Sequence, residues 1–303
     1  MASDLSTITT FRNGSLTVLR GLLCNSVVSP STKRAYAKAF DEFVAIACGR
    51  PISRAVLFEY RASMVGEGLS AATINQRLCA IRKLVHEGRE NGLLDSVEAV
   101  RITSVPGVPQ QGIRLGHWLT PEEAQHLLAV PDRTHLIGKR DFAILSVLVY
   151  CALRREEFAG IDLRLIQKRE DRWVIADLIG KRGRVRTVPV PFAAKQAIDD
   201  WTAAAAITSG PVFRRMRKGG AITGVAVSAW AVWDVVVKAA ALAGIESLSP
   251  HDLRRTCAKL CRETGGELEQ IQSLLGHEDL STTAKYLNSI QKIRNAVNDR
   301  IAL

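Results

Sequence analysis

Six side chains in the C-terminal half of this 303-residue chain, Arg154, Lys181, His251, Arg254, His277 and Tyr286, are of the types that hold an anion and attack it. Guanidinium, ammonium and imidazole groups donate to phosphate oxygens or move protons, and a phenol can act as a nucleophile. Each sits in a short motif. The first is Cys151-Ala152-Leu153-Arg154-Arg155-Glu156-Glu157-Phe158, and the second is Gly180-Lys181 within a strand-turn-strand pattern. The third is Ser249-Pro250-His251-Asp252-Leu253-Arg254, and the fourth runs Leu274-Leu275-Gly276-His277, Leu280-Ser281-Thr282-Thr283, and on to Tyr286.

Breaking a phosphodiester without a metal needs a nucleophile, charge around a five-coordinate phosphorus and a proton for the leaving oxygen. Arg154 and Arg254 suit the non-bridging oxygens, because a guanidinium fork matches phosphate geometry and keeps its charge. Glu157, three residues beyond Arg154, can orient it; a surface ion pair there would be worth little. Arg155 and Arg255, one residue on from each arginine, point about 100° away on a helix and read as contacts to a phosphate backbone or to solvent. Ser249 and Pro250 form a helix start that sets His251 at the positive end, where an anion is favoured. Gly276 can end the preceding helix in a left-handed conformation and present His277 at the turn.

The surrounding elements read as follows. Residues 105 to 118, with two Pro and three Gly, form a seam that sustains no helix or strand for long. It divides a domain over 1 to 104 from one over 119 to 303, the latter ending in a tail. Before the seam the pattern is helical. Thr32, Tyr36, Phe40 and Phe43 share one face, a second helix covers Ser53 to Gly66, and Ser70 caps a third through Ile74, Leu78, Ile81 and Val85. A short piece spans Val97 to Ile102. After the seam, Thr120-Pro121-Glu122-Glu123 opens a helix, and another runs from Lys139 to Leu153 into the first motif. Strands are expected near Ile161 to Leu165, Trp173 to Ile179 and Arg184 to Pro189. Helices follow over Phe192 to Ala205, Gly224 to Ala243, Pro250 to Thr264, Leu268 to Leu275 and from Thr282 onward, with Trp230 and Trp233 read as core.

Composition narrows the classes. With 47% hydrophobic residues the chain can build real cores, so disorder is not the default. A net charge of +11 is the footprint of a nucleic-acid binder, although a merely soluble basic protein fits the charge alone equally well. The start of the chain does not read as a secretory signal, and the apolar run from Ala143 to Leu153 is too short to span a bilayer, so a cytoplasmic protein is expected. Six dispersed cysteines suit reduced thiols; Cys257 and Cys261 are one helical turn apart but lack a second ligand pair at zinc spacing, so no metal is implied.

The His-x-x-Arg, Leu-Gly-His and Tyr motifs, in this order after Arg154 and Gly180-Lys181, resemble the tyrosine recombinase (phage integrase) family over essentially the whole chain. The resemblance implies a mainly α fold with a small antiparallel β-sheet: a helical, SAM-like core-binding domain followed by a mixed α/β catalytic domain, closing as a clamp around duplex DNA. It implies that Tyr286 forms a 3'-phosphotyrosyl link and that Lys181 protonates the departing 5'-oxygen. It also implies that His251 assists the tyrosine proton and that His277 donates to a phosphate oxygen. Because the bond energy is conserved in the phosphotyrosine, no cofactor is implied. The expected partner is double-stranded DNA with paired inverted half-sites, exchanged through a Holliday junction by a homo-tetramer of protomers that are monomers in free solution. The host expected is a bacterium, phage or mobile element. The cations set against DNA are Lys33, Arg34, Arg77, Arg82 and Lys83 before the seam and Arg182, Arg184 and Arg255 after it; taken singly, each fits a solvated helix face as well. Residues 288 to 303 are long enough for a helix that packs on a neighbouring protomer. Phe158, Cys257 and Lys259 depart from the family pattern without touching these roles. A type IB topoisomerase-like enzyme and a catalytically silent DNA-binding regulator are the alternatives; the Leu-Gly-His motif with a separate N-terminal clamp argues against the first, and the complete site against the second.

Overall fold

The computed structural model describes residues 13–109, 117–180, 183–217 and 219–287. Lys181, Arg182 and the segment after Leu287 lie outside the described residues. The chain divides into two compact units, residues 1–114 and 115–303.

Among its described residues the first unit is helical: α1 (Asn13–Asn25), α2 (Pro30–Ala47), α3 (Arg54–Gly66), α4 (Ala71–Glu90) and α5 (Ser96–Thr103). Local chemistry starts them. Pro30 stands in the first turn of α2, and the Ser53, Ser70 and Asp95 side chains accept backbone N–H groups at the starts of α3, α4 and α5. Phe40, Phe43, Leu57, Leu78, Ile81 and Val85 then meet in one core, each such side chain contributing about 1.5–3 kcal/mol by leaving water. The helix α1, absent from the sequence reading, adds Leu19 and Leu23 to that core. Arg77 and Arg82, two of the cations set against DNA, turn to partners within the unit: Arg77 pairs with Glu42 at 2.9 Å, and Arg82 donates to the Val105 carbonyl.

The second unit contains α6 (Pro121–Ala129), α7 (Leu136–Cys151), α8 (Arg155–Ala159), β1 (Ile166–Arg169), β2 (Arg172–Ile179), β3 (Val185–Pro189), α9 (Phe192–Ala204), β4 (Arg214–Met216), β5 (Ile222–Ala226), α10 (Ala229–Leu242), α11 (Pro250–Glu263), α12 (Leu268–Leu275) and α13 (Leu280–Leu287). Strands β1, β2 and β3 form an antiparallel meander in register Ile166 to Ile175 and Ile175 to Val188. A shift between Ile175 and Leu178 accompanies Asp177 at φ 51° and re-aims the end of β2. Helix α7 is the buried axle of this unit, with Ala143 to Val149 all in the core.

Three expectations need correction. The strand placed at Ile161 to Leu165 begins five residues later, because the Asp162 side chain accepts the Arg164 N–H at 3.1 Å and turns residues 163–165 into a short 3-10 helix. The helix placed from Gly224 starts at Ala229, where the Ser228 hydroxyl accepts the Ala231 N–H at 3.2 Å; residues 222–226 instead pair with β4. Trp230 and Trp233 are not core: they are 66% and 37% exposed, because α10 buries its Val232, Val235, Val236 and Ala239 face. Among the described residues, no helix is long and apolar enough to cross a membrane.

Candidate active site

Helix α7 does not continue to Leu153 through the first motif. It stops at Cys151, Ala152 takes a left-handed conformation at φ 51°, and Arg154 emerges extended at the N-cap of α8. Glu157, in the first turn of that helix, accepts the Arg154 N–H at 2.8 Å and its guanidinium at 2.7 Å. The carboxylate thereby fixes both the backbone and the side chain of the arginine.

A second arginine closes on the same carboxylate. Arg186 of β3 donates to Glu157 at 2.9 and 2.8 Å, and the Arg186 and Glu157 side chains are 11% and 4% exposed. Burial on its own would raise the Glu157 pKa, but the hydrogen bonds from Arg186 and from the backbone and side chain of Arg154 outweigh it and bring the value down to about 2. Arg186 is not among the residues singled out by type, although it follows Arg182 and Arg184 in the same hairpin. The signal was available: two residues before buried Val188 in a strand, Arg186 has to face inward, and an inward arginine calls for a buried acid.

Arg254 is 1% exposed, one turn into α11. Its two terminal nitrogens donate to the Ala152 and Leu275 carbonyls, so it ties the end of α7 to the end of α12. Burial, then the Arg154 charge, lower its pKa to about 10, against the pull of Tyr286 and Glu157. It remains a cation at neutral pH.

The two histidines arrive by different local routes. Ser249 and Asp252 cap α11 reciprocally, the carboxylate accepting the Ser249 N–H at 3.0 Å and its hydroxyl at 2.6 Å, and this presents His251 in the first turn. Gly276 ends α12 at φ 60° and ψ 47°, and His277 follows. Any side chain at Gly276 would be strained at that φ and would come within 2.9 Å of Arg186 Cδ. His277 Nδ1 lies 3.0 Å from the hydroxyl of Thr283, a buried residue whose part in the site the motif alone did not disclose. Burial, then Arg254, Arg154, His251 and Arg186, press the His277 pKa down to about 4. Burial, then Arg255 and Arg254, lower that of His251 against the opposing pull of Asp252. Both imidazoles are therefore neutral acceptors or donors rather than fixed cations at pH 7.

Tyr286, on α13, stands between them. Its ring meets those of His251 and His277 edge-on, with centroids 5.6 and 5.3 Å away, and its hydroxyl donates to the His251 carbonyl at 3.4 Å. Burial raises the phenol pKa, while Arg254 and Arg255 pull it back.

Five of the six residues singled out by type, all but Lys181, thus converge from the α7–α8 corner, α11, the α12 turn and α13. Gly180 lies at the edge of the same site, lining with Arg154, Arg186 and His277 a cleft of about 300 Å³. Of the cations set against DNA, Arg184 pairs with Glu278 at 3.1 Å, Lys83 pairs with Glu87 at 2.7 Å, and Arg34 is exposed on α2. Among the described residues, no group of three or more His, Cys, Asp or Glu could hold a metal ion.

Comparison with known proteins matches residues 117–292 to the phage integrase family and residues 19–91 to the phage integrase N-terminal SAM-like domain. A tyrosine recombinase of Synechococcus elongatus is 30% identical over 297 residues, covering 90% of this chain and 89% of its own. The tyrosine recombinase XerC of Corynebacterium glutamicum is 31% identical, covering 75% of this chain and 71% of its own. Among solved structures, a lambda integrase dimer bound to a COC' core site aligns with TM-score 0.73 at 14% identity, over 95% of this chain and 81% of that one. XerH bound to a palindromic difH substrate, in a post-cleavage complex, aligns with TM-score 0.70 at 18% identity, over 93% and 87%. The fold is shared with both.

Proposed function

The chain belongs to the phage integrase family, tyrosine recombinases that cleave and rejoin DNA at specific sites, and from that premise we propose that Tyr286 is its nucleophile. The observation that carries the reading is the near-perpendicular contact of the Tyr286 ring with both His251 and His277, within reach of the buried Arg254 charge.

In this mechanism the Tyr286 oxygen attacks the scissile phosphorus, forming a 3'-phosphotyrosyl bond as the bond to the 5'-oxygen breaks. Neutral His251 takes the phenolic proton. Arg154, Arg254 and His277 donate to the non-bridging oxygens, where charge grows in the transition state. Glu157 and Arg186 hold Arg154 in place. Lys181 gives its proton to the departing 5'-oxygen. A free 5'-hydroxyl from the partner strand then reverses each step, so the exchange needs no nucleotide cofactor.

The substrate is duplex DNA with paired inverted half-sites, a reading supported by the palindromic site in the related XerH complex. Four protomers, monomeric in free solution and acting in the cytoplasm, assemble on two such sites and pass through a Holliday junction. Lys33, Arg34, Arg182 and Arg184 contribute to backbone contact.

The test is covalent trapping on a duplex nicked next to the cleavage position. Wild-type protein should form a denaturant-resistant protein–DNA band. Tyr286→Phe should bind DNA within about threefold of wild type and form none, since the substitution removes the nucleophile and leaves the clamp intact. A covalent band from the Phe variant would move the nucleophile elsewhere.

A further inference from the structure

Arg255 looks, in sequence, like an arginine turned away from the chemistry. In the structure its guanidinium carbon lies 4.8 Å from the centroid of the Tyr286 ring. Its side chain is only 19% exposed, and Asp252 Oδ1 lies 3.9 Å from Nη1. Asp252 is itself fixed by the Ser249 backbone and hydroxyl, so the arginine stands over a capped and rigid helix start. His251 and Arg255 are four apart on α11 and share a face. The two address the tyrosine differently. His251 and His277 meet the ring edge-on, at interplanar angles of 80° and 84°. Arg255 covers its face.

We infer that Arg255 is a positioning residue for Tyr286, holding the plane of the ring and favouring the negative charge that develops on it during attack. The inference rests on Tyr286 being the nucleophile. A cation over an aromatic face is drawn to its π electrons. That attraction grows as the phenol gives up its proton, because the phenolate charge is shared between oxygen and ring. The contact is thus stronger in the transition state than in the resting enzyme, which is the condition for a rate effect. The charged and titratable groups facing the phenol are His251, Asp252, Arg254 and Arg255 from α11 and His277 from the turn after α12. Arg254, which also bonds the Ala152 and Leu275 carbonyls, acts on the phenol as well, whereas Arg255 is the cation that lies over the ring face.

The experiment compares full-length wild type, Arg255→Gln, Arg255→Lys and Arg255→Met in single-turnover cleavage of a nicked duplex, at saturating DNA, from pH 6 to 10. The Gln and Met variants should cleave roughly tenfold or more slowly, with DNA affinity within about threefold of wild type, and the limb of the rate profile that rises with tyrosine ionisation should move to higher pH. The Lys variant, charged but not planar, should fall between. Incorporating 2,3-difluorotyrosine at position 286, which ionises more readily, should speed the Gln variant more than wild type. A loss confined to affinity, with normal rate at saturation, would make Arg255 a DNA contact and overturn the inference. An unshifted pH profile with no gain from the fluorinated ring would reduce it to a packing group. Cleavage by Tyr286→Phe would instead overturn the nucleophile assignment on which the inference stands.

Discussion

Arg186 and Glu157 meet as a two-pronged pair, Nη1 on Oε1 at 2.9 Å and Nη2 on Oε2 at 2.8 Å, almost wholly out of solvent. The same carboxylate holds Arg154, so a β-strand and a helix start share one anchor. Two cations on one acid leave the site with a net positive charge, which suits the phosphate of the proposed reaction.

Removing one prong should therefore uncouple rate from grip. Arg186→Gln is expected to lower single-turnover cleavage about 100-fold with affinity near wild type, because Arg154 loses its fixed geometry rather than its charge. It should also destabilise the protein by about 3 kcal/mol, the lower end for breaking a buried pair, since Arg154 still partners the acid. Urea unfolding beside a cleavage time course checks both; a parallel fall in affinity would make Arg186 a DNA clamp.

Arg154 and Arg254 should answer differently to lysine. Each loses its fork, so cleavage should slow by orders of magnitude in both variants. Only Arg254→Lys should also lower the melting temperature clearly, because the Ala152 and Leu275 carbonyls are left short of a donor, at about 1–3 kcal/mol each. Differential scanning of the two variants separates these outcomes.

Acid should weaken the free protein in two steps. His277 has a folded pKa of about 4 against 6.5 unfolded, so the unfolded chain takes the proton first and stability falls as pH drops from 6.5 through 4. Glu157, at about 2 folded against 4.5, stabilises fully above 4.5 and loses that contribution as pH falls toward 2. The slope should not exceed about 1.4 kcal/mol per pH unit for each group. His277→Asn should flatten the upper step and Glu157→Gln the lower, as read by urea midpoints across pH.

Lys181 carries a sharper chemical test. A 5'-bridging phosphorothiolate leaves as a thiolate and needs little protonation, so it should largely rescue Lys181→Ala and rescue Arg154→Ala poorly. Equal rescue of both would remove Lys181 from the general-acid role.

What could be read from the chain was what is local. Ser249 as a cap and Gly276 at a left-handed turn are decided within four residues, and the structure has both. Arg186 and Glu157 lie 29 positions apart, and no spacing rule joins them; only the inward alternation of β3 hinted that the arginine was buried. Arg255 escaped because helical angles say where a side chain leaves α11, not that a ring from α13 arrives over it. Trp230 and Trp233 misled because their size suggested burial, although Asp234 and Lys238, paired one turn apart on the same helix, mark the exposed face beside them.

The carbonyls that hold Arg254 share one further property: each is a helix terminus, Ala152 closing α7 and Leu275 ending α12. Aligned peptide dipoles leave roughly half a negative charge at such ends. Arg254 is thus the counter-ion of two helices before any DNA arrives, and its position is settled when they pack. In the proposed mechanism a phosphate would come to a stationary charge whose solvent rearrangement is already complete. Trimming the last turn of α7 or α12, with none of the proposed catalytic residues altered, should silence the enzyme as fully as removing the arginine.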